Sequence, residues 1–175
     1  MKIRENQVLL RSLKIADAAP MALLANNKKI WDNVRDYMPY PYGEQNGREF
    51  IEMVHEEERP LTFGISYKGR LAGVISLVAQ EDIYRKTAEI GYWLGEPFWG
   101  KGIATQAVKM ITKYGFEQMD FIRLYAGIFE YNIGSMRVLE KNGYVKEGIF
   151  KKALIKNNQI WDEHRYALLK EDFAG

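Results

Sequence analysis

The stretch at residues 89–105, EIGYWLGEPFWGKGIAT, constrains the fold most, because an apolar strand-like run enters a glycine-punctuated turn and leaves it as a helix. Beyond the turn, Ile103, Ala107, Val108, Ile111 and Tyr114 recur at helical spacing, so the helix has a face to bury against a sheet. A second strand is predicted at 123–128, and two strands joined through such a helix crossover lie parallel. The start of a helix leaves its opening N–H groups outside the hydrogen-bond ladder and carries the positive end of the helix dipole. Phosphate oxygens can sit there without any charged side chain. Gly100 and Gly102 let those amides approach closely. The segment therefore reads either as a tight strand-to-helix turn alone or as a grip on a phosphate-bearing cofactor.

The remaining pattern places this crossover in a mixed α/β domain. A strand is predicted at 8–12, and Asp17 is placed to cap a short helix carrying Met21, Leu23 and Leu24, with Pro20 in its first turn. Helical pieces are expected at 30–34 and 48–58, separated by the aromatic loop YMPYPYG. Residues 61–67 and 71–78 flank Lys68 and Gly69 as a hairpin, and with a strand at 88–94 they form a meander. The crossover helix ends near Gly115, and a helix over 133–142 stops at Gly143. Residues 144–155 and 160–169 make a last hairpin around Asn157 and Asn158. The expected sheet has about six to seven strands, is largely antiparallel, and carries helices on its flanks.

Composition excludes several classes of function. With 175 residues and 47% hydrophobic content, one well-buried domain spanning 1–175 is expected, because two halves would each be marginal. The 25 basic and 23 acidic side chains are interspersed, so no nucleic-acid footprint is expected. There is no cysteine, which excludes disulfides, thiolate metal sites and a cysteine nucleophile. His55 and His164 stand apart from any metal-binding spacing, so no metal is expected. The N-terminus lacks a signal-peptide core and no window approaches a membrane span, so the expectation is a soluble, cytoplasmic protein. No heptad marks an interface, which leaves homodimerisation open.

Two phosphate loops can be set aside. Lys101 lies between the glycines, whereas a Walker loop needs lysine followed by Ser or Thr after the second one. A dinucleotide fingerprint needs a third small residue at Thr105 and an acidic residue at a later strand end. A third pattern fits. WGKGIA at 99–104, Asn132 and Ser135 in an N-x-x-S spacing, and LEKNGY at 139–144 together resemble the GNAT acetyltransferase superfamily, in the branch that acetylates N-terminal amines of ribosomal proteins.

That resemblance implies a GNAT fold with a central splayed parallel pair, acetyl-CoA as donor and coenzyme A as product. It implies that the amides of Gly100, Lys101, Gly102, Ile103, Ala104 and Thr105 hold the pyrophosphate. Trp93 and Leu94 would offer strand backbone to the pantetheine arm, with Asn132 and Ser135 near it. Two departures matter. Trp99 stands where Gln or Arg is usual, and Glu140 stands where many relatives carry the tyrosine that protonates the leaving thiolate.

In this family the amine attacks the thioester directly, so a proton acceptor and an acid are needed. Glu89 is the leading acceptor, Asp162 a second one, and Ser135 a candidate acid. Trp31, Tyr37, Tyr40 and Tyr42 lie where relatives bind acceptors. The acceptor class implied is a protein N-terminal α-amine. A polyamine, an amino sugar, or a catalytically silent acetyl-CoA-binding module are the alternatives.

Overall fold

The computed structural model describes residues 2–174. Its strands are hydrogen-bonded in the order β1-β2-β3-β4-β5-β6-β8-β7. They are β1 (Lys2–Glu5), β2 (Val8–Arg11), β3 (Thr62–Tyr67), β4 (Arg70–Ala79), β5 (Thr87–Leu94), β6 (Arg123–Phe129), β7 (Val145–Lys156) and β8 (Gln159–Leu169). The helices are α1 (Ala18–Ala25), α2 (Lys28–Trp31), α3 (Glu44–His55), α4 (Ile103–Glu117) and α5 (Ile133–Glu140). The fold is mixed α/β, and β5 and β6 form the parallel pair that the crossover requires. The chain divides into two compact units, residues 1–76 with 92–107 and residues 77–91 with 108–175, and neither is a continuous stretch of chain.

In the first unit, β1 pairs with β2 around Asn6, whose φ of 51° suits asparagine in a tight turn. This strand adds one to the sequence-based count. β3 and β4 pair antiparallel through Lys68 and Gly69, both at positive φ, as the hairpin pattern predicts. The core gathers Leu13, Ala18, Met21, Ile51, Leu71 and Val74, with Trp93 packed against it. Burying each such aliphatic side chain stabilises by roughly 1.5–3 kcal/mol.

Asp17 stands at the N-cap position of α1, but its side chain makes no capping bond to that helix. A 3-10 turn at Ile15–Asp17 precedes the helix, so the carboxylate folds back to accept the Lys14 N–H at 2.8 Å and two Arg11 bonds at 2.7 Å. Pro20 does lie in the first turn of α1, where a missing N–H costs nothing.

In the second unit the parallel register runs Thr87↔Arg123, Ala88↔Leu124 and Glu89↔Tyr125. β8 pairs with β6 from Arg123↔Leu169 to Phe129↔Glu163 and with β7 on its other side. Leu124, Ala126 and Ile128 are buried, while Tyr125, Gly127 and Phe129 are half-buried, so successive β6 residues face opposite ways. The helix side of this sheet is tightly packed. A Cβ at Gly115 of α4 would lie 3.0 Å from Leu77 and 3.1 Å from Leu124. Asn157 and Asn158, with φ of 54° and 58°, turn β7 into β8.

Candidate active site

Within the first unit, β5 ends at Leu94 and a 3-10 turn at Glu96–Phe98 leads to α4. Three contacts fix this path. The Trp99 indole donates to the Leu94 carbonyl at 2.6 Å, Lys101 Nζ donates to the Pro97 carbonyl at 2.7 Å, and Glu96 accepts from Asn27 Nδ2 at 2.7 Å and from Lys29 Nζ at 2.5 Å. Trp99 thus pins the turn to the strand end by its ring N–H. The Lys101 ammonium is tied back onto the loop, 5.9 Å from the centre of the Phe98 ring.

Gly100 and Gly102 both have positive φ, 72° and 71°, and a Cβ at either would meet nothing within 4 Å. The Gly102 carbonyl accepts the Gln106 N–H at 3.1 Å, so Gly102 is the N-cap of α4. The amides of Ile103 and Ala104 therefore open the helix ahead of its ladder. A turn with open space beside both glycines and a fifteen-residue helix behind it fits a pyrophosphate group. Trp93, Leu94, Gly100, Lys101, Gly102, Ile103, Ala104 and Thr105 all lie in this unit.

Within the second unit lie Glu89, Asn132, Ser135 and Asp162. Glu89 is half-buried on β5, directly opposite Tyr125. Asn132 caps α5: its Oδ1 accepts the Ser135 N–H at 3.1 Å, and its own N–H donates to the Phe129 carbonyl at 2.9 Å. Ser135 is thereby fixed one turn beyond the end of β6.

Comparison with known proteins decides the family. A model of the GNAT acetyltransferase domain matches residues 7–145. The chain belongs to the GNAT acetyltransferase family. It is similar to the probable N-acetyltransferase YjcK of Bacillus subtilis, 33% identical with 97% of this chain and 98% of that protein covered. It is also similar to the ribosomal-protein-serine acetyltransferase of Escherichia coli, 30% identical over 83% of this chain and 82% of that one. Among solved structures it resembles RimL, a ribosomal L7/L12 α-N-protein acetyltransferase in complex with coenzyme A. That likeness has a TM-score of 0.85 and 26% identity, covering 97% of this chain and 98% of that one. The GNAT chain is accordingly an acetyltransferase enzyme. Among its described residues, no helix is long and apolar enough to cross a membrane.

Electrostatics sort the candidate acids and bases of this GNAT chain. The Asp162 carboxylate accepts from Lys151 Nζ at 2.7 Å and from the Lys152 N–H at 2.8 Å. The Lys151 bond first, and the Lys152 amide second, hold its pKa below the ordinary carboxylate value. Asp162 clamps the register shift between Phe150 and Leu154, where Lys152 has a φ of 56°. Glu140 accepts a hydrogen bond from the buried Tyr166 hydroxyl at 2.9 Å. Burial, and then Glu140, raise the Tyr166 pKa to about 12, which makes this tyrosine a poor proton donor. Tyr42 likewise belongs to the core: it is buried, its hydroxyl lies 3.6 Å from Met21 Sδ, and burial raises its pKa to about 12. Of the other early aromatics, Tyr37 is exposed, and Trp31 and Tyr40 have ring centres 5.5 Å apart.

Sequence reasoning missed Glu163 and Arg165. Glu163 is opposite Phe129 and Phe150 and accepts two bonds from Arg165, from Nε at 2.9 Å and Nη2 at 2.6 Å. Strand alternation in WDEHRY puts Trp161, Glu163 and Arg165 on one face, but only the pairing of β8 with β6 shows what shares that face.

Proposed function

We propose that this GNAT enzyme moves the acetyl group of acetyl-CoA to a primary amine by direct attack, with the chain working as one catalytic domain. The observation that carries this reading is the open turn at Gly100 and Gly102, N-cap of α4, in a chain of this family. The amides at residues 100–105 would hold the pyrophosphate, the backbone of Trp93 and Leu94 the pantetheine arm, and Asn132 and Ser135 its thiol end. Acetyl-CoA, when bound, supplies an activated acyl carbon and a thiol leaving group. The chain itself needs a group to take the amine proton and one to return a proton to sulfur.

Glu89 is assigned the first task, because it is half-buried on β5, the strand that leads into the glycine turn. Ser135 is assigned the second, because the Asn132 cap fixes its hydroxyl-bearing residue in the first turn of α5. A protein α-amine, with a reference pKa of about 7.7–8.0, is partly neutral near neutral pH and asks less of Glu89 than a lysine amine at about 10.4. The test is thiol release from acetyl-CoA by the purified chain against N-terminal peptides, lysine peptides, polyamines and aminoglycosides. Amine-dependent release supports the reading. Tight acetyl-CoA binding with no release on any amine would instead identify a silent binding module.

A further inference from the structure

Two neighbouring asparagines in the first unit hold the two ends of the loop at residues 32–41, which carries Tyr37 and Tyr40. Asn26 Oδ1 accepts the Tyr42 N–H at 3.1 Å and so fixes where the loop ends. Asn27 fixes where it begins, because it is the N-cap of α2. Its Oδ1 accepts the Lys29 N–H at 2.9 Å, and its carbonyl accepts the N–H groups of Ile30 and Trp31 at 2.9 and 3.0 Å. The Trp31 indole then donates to the Met38 carbonyl at 2.9 Å, and its ring lies 5.5 Å from that of Tyr40. Met38 packs on the same core cluster as Trp93 at the end of β5.

The Asn27 amide also has a donor end. Its Nδ2 donates to Glu96 Oε2 at 2.7 Å, while Glu96 Oε1 accepts from Lys29 Nζ at 2.5 Å. Glu96 therefore grips the start of α2 twice, at the cap and at Lys29. It belongs at the same time to the glycine turn. The Glu96 carbonyl accepts the Trp99 N–H at 3.1 Å, and Trp99 adjoins Gly100, where the open amides begin. Gly95, the residue before it, is seated against α1: a Cβ there would lie 2.7 Å from Leu24 Cδ2. A continuous run of hydrogen bonds thus leads from the turn through Glu96 and Asn27 to Trp31 and Met38.

We infer that this run couples the two segments, so that coenzyme on the turn amides stiffens the loop at 32–41 through Glu96 and Asn27. The inference rests on the acetyl-transfer reading, which puts the pyrophosphate on those amides. Phosphate oxygens that engage the amides at residues 100–105 fix the chain there, and the Trp99 N–H then holds Glu96 where it clasps Asn27. Ordering the loop costs less once the turn is already ordered, which is coupling through conformational entropy. Tyr37 is 94% exposed and Tyr40 44%, so the stiffened segment presents rings that a second ligand meets directly. Coupling is reciprocal: an amine held by this loop raises coenzyme affinity by the factor by which coenzyme raises its own.

Amide hydrogen exchange of the whole chain, with and without coenzyme A, tests this. In the wild type, saturating coenzyme A should slow exchange at the turn and, by about fivefold or more, at residues 32–41. Glu96→Ala removes both acceptors and should confine the protection to the turn. Asn27→Ser keeps a capping oxygen for α2 and loses the Nδ2 donor, so its melting temperature should stay near the wild-type value while the loop loses its protection. Glu96→Gln keeps an oxygen for Asn27 and gives up only an ion pair whose side chains are 66% and 40% exposed, so protection of the loop should persist.

A protected turn beside an unchanged loop in the wild type would overturn the coupling and leave acetyl transfer standing. Loop protection retained in Glu96→Ala or Asn27→Ser would do the same. Loop protection that depends on Glu96, with no turnover of any amine, would refute acetyl transfer and leave the coupling standing. No protection at the turn would overturn both.

Discussion

The turn at Gly100 and Gly102 and the face of β6 and β8 that carries Glu163 are built on different principles. The turn works through backbone: two positive φ values, an N-cap carbonyl and the amides that follow it, all within seven residues of chain. The face works through side chains that meet only because β8 pairs with β6, joining residues such as Gly127 and Glu163 that are far apart in sequence. The first arrangement suits a group common to a whole family, because amides and a helix dipole recognise phosphate whatever the neighbouring side chains are. The second can change by single substitutions without disturbing the strand.

The largest expected effect separates chemistry from donor binding. Glu89→Gln should lower kcat by about 10²–10⁴-fold, the range for losing a general base, while acetyl-CoA affinity stays at the wild-type value. Steady-state thiol release together with calorimetry reads both quantities, and a full kcat would remove Glu89 from the proton path.

Gly102→Val strikes the other region. A β-branched residue at a φ of 71° is strained, so the opening amides of α4 should shift and acetyl-CoA affinity should fall by about a hundredfold. The open space beside Gly102 leaves the fold intact, which far-ultraviolet circular dichroism checks. Unchanged affinity would mean that the turn is architecture alone.

A smaller effect distinguishes loss of stability from loss of function. Asp17→Asn removes the negative charge and one of the two acceptors facing Arg11 in a largely buried pair and should cost roughly 2–3 kcal/mol in denaturant unfolding, with acetyl-CoA affinity of the folded protein unchanged. Burial pushes the Asp17 pKa up, but the bonds from Arg11 and Lys14 outweigh it and hold the carboxyl below its ordinary value. A depressed folded-state pKa contributes stability that is complete above the unfolded value, about 3.9, and is lost as pH falls through the folded value. The wild type should therefore lose stability more steeply than Asp17→Asn below about pH 4. Parallel pH curves would refute that role.

The smallest effect belongs to Asp162→Asn, which keeps an oxygen for the Lys152 amide and should alter kcat by no more than about threefold. A loss of the size expected for Glu89→Gln would return Asp162 to the chemistry.

How much was readable in the chain follows from the same contrast. The crossover, the hairpin at Lys68 and Gly69, and the glycine turn were all visible, because each is set by residues close in sequence. β1 escaped notice because a four-residue edge strand, KIRE, has no apolar alternation to mark it. Asp17 holds the N-cap position the sequence predicts, but its ion pair was not legible, because a cap and an ion pair need the same residue type and only the fold puts Arg11 beside it. Glu163 was overlooked for a topological reason. The last hairpin predicts that β7 pairs with β8, but not that β8 rather than β7 pairs with β6. That choice decides whether Phe129 faces Glu163.

The most direct test of acetyl transfer follows thiol release by the purified wild-type chain with acetyl-CoA and the amine panel, with mass spectrometry of the acceptor. The expected result is amine-dependent release and a product heavier by one acetyl group. Absence of acetyl-CoA binding, or binding without transfer to any amine of the panel, would contradict it.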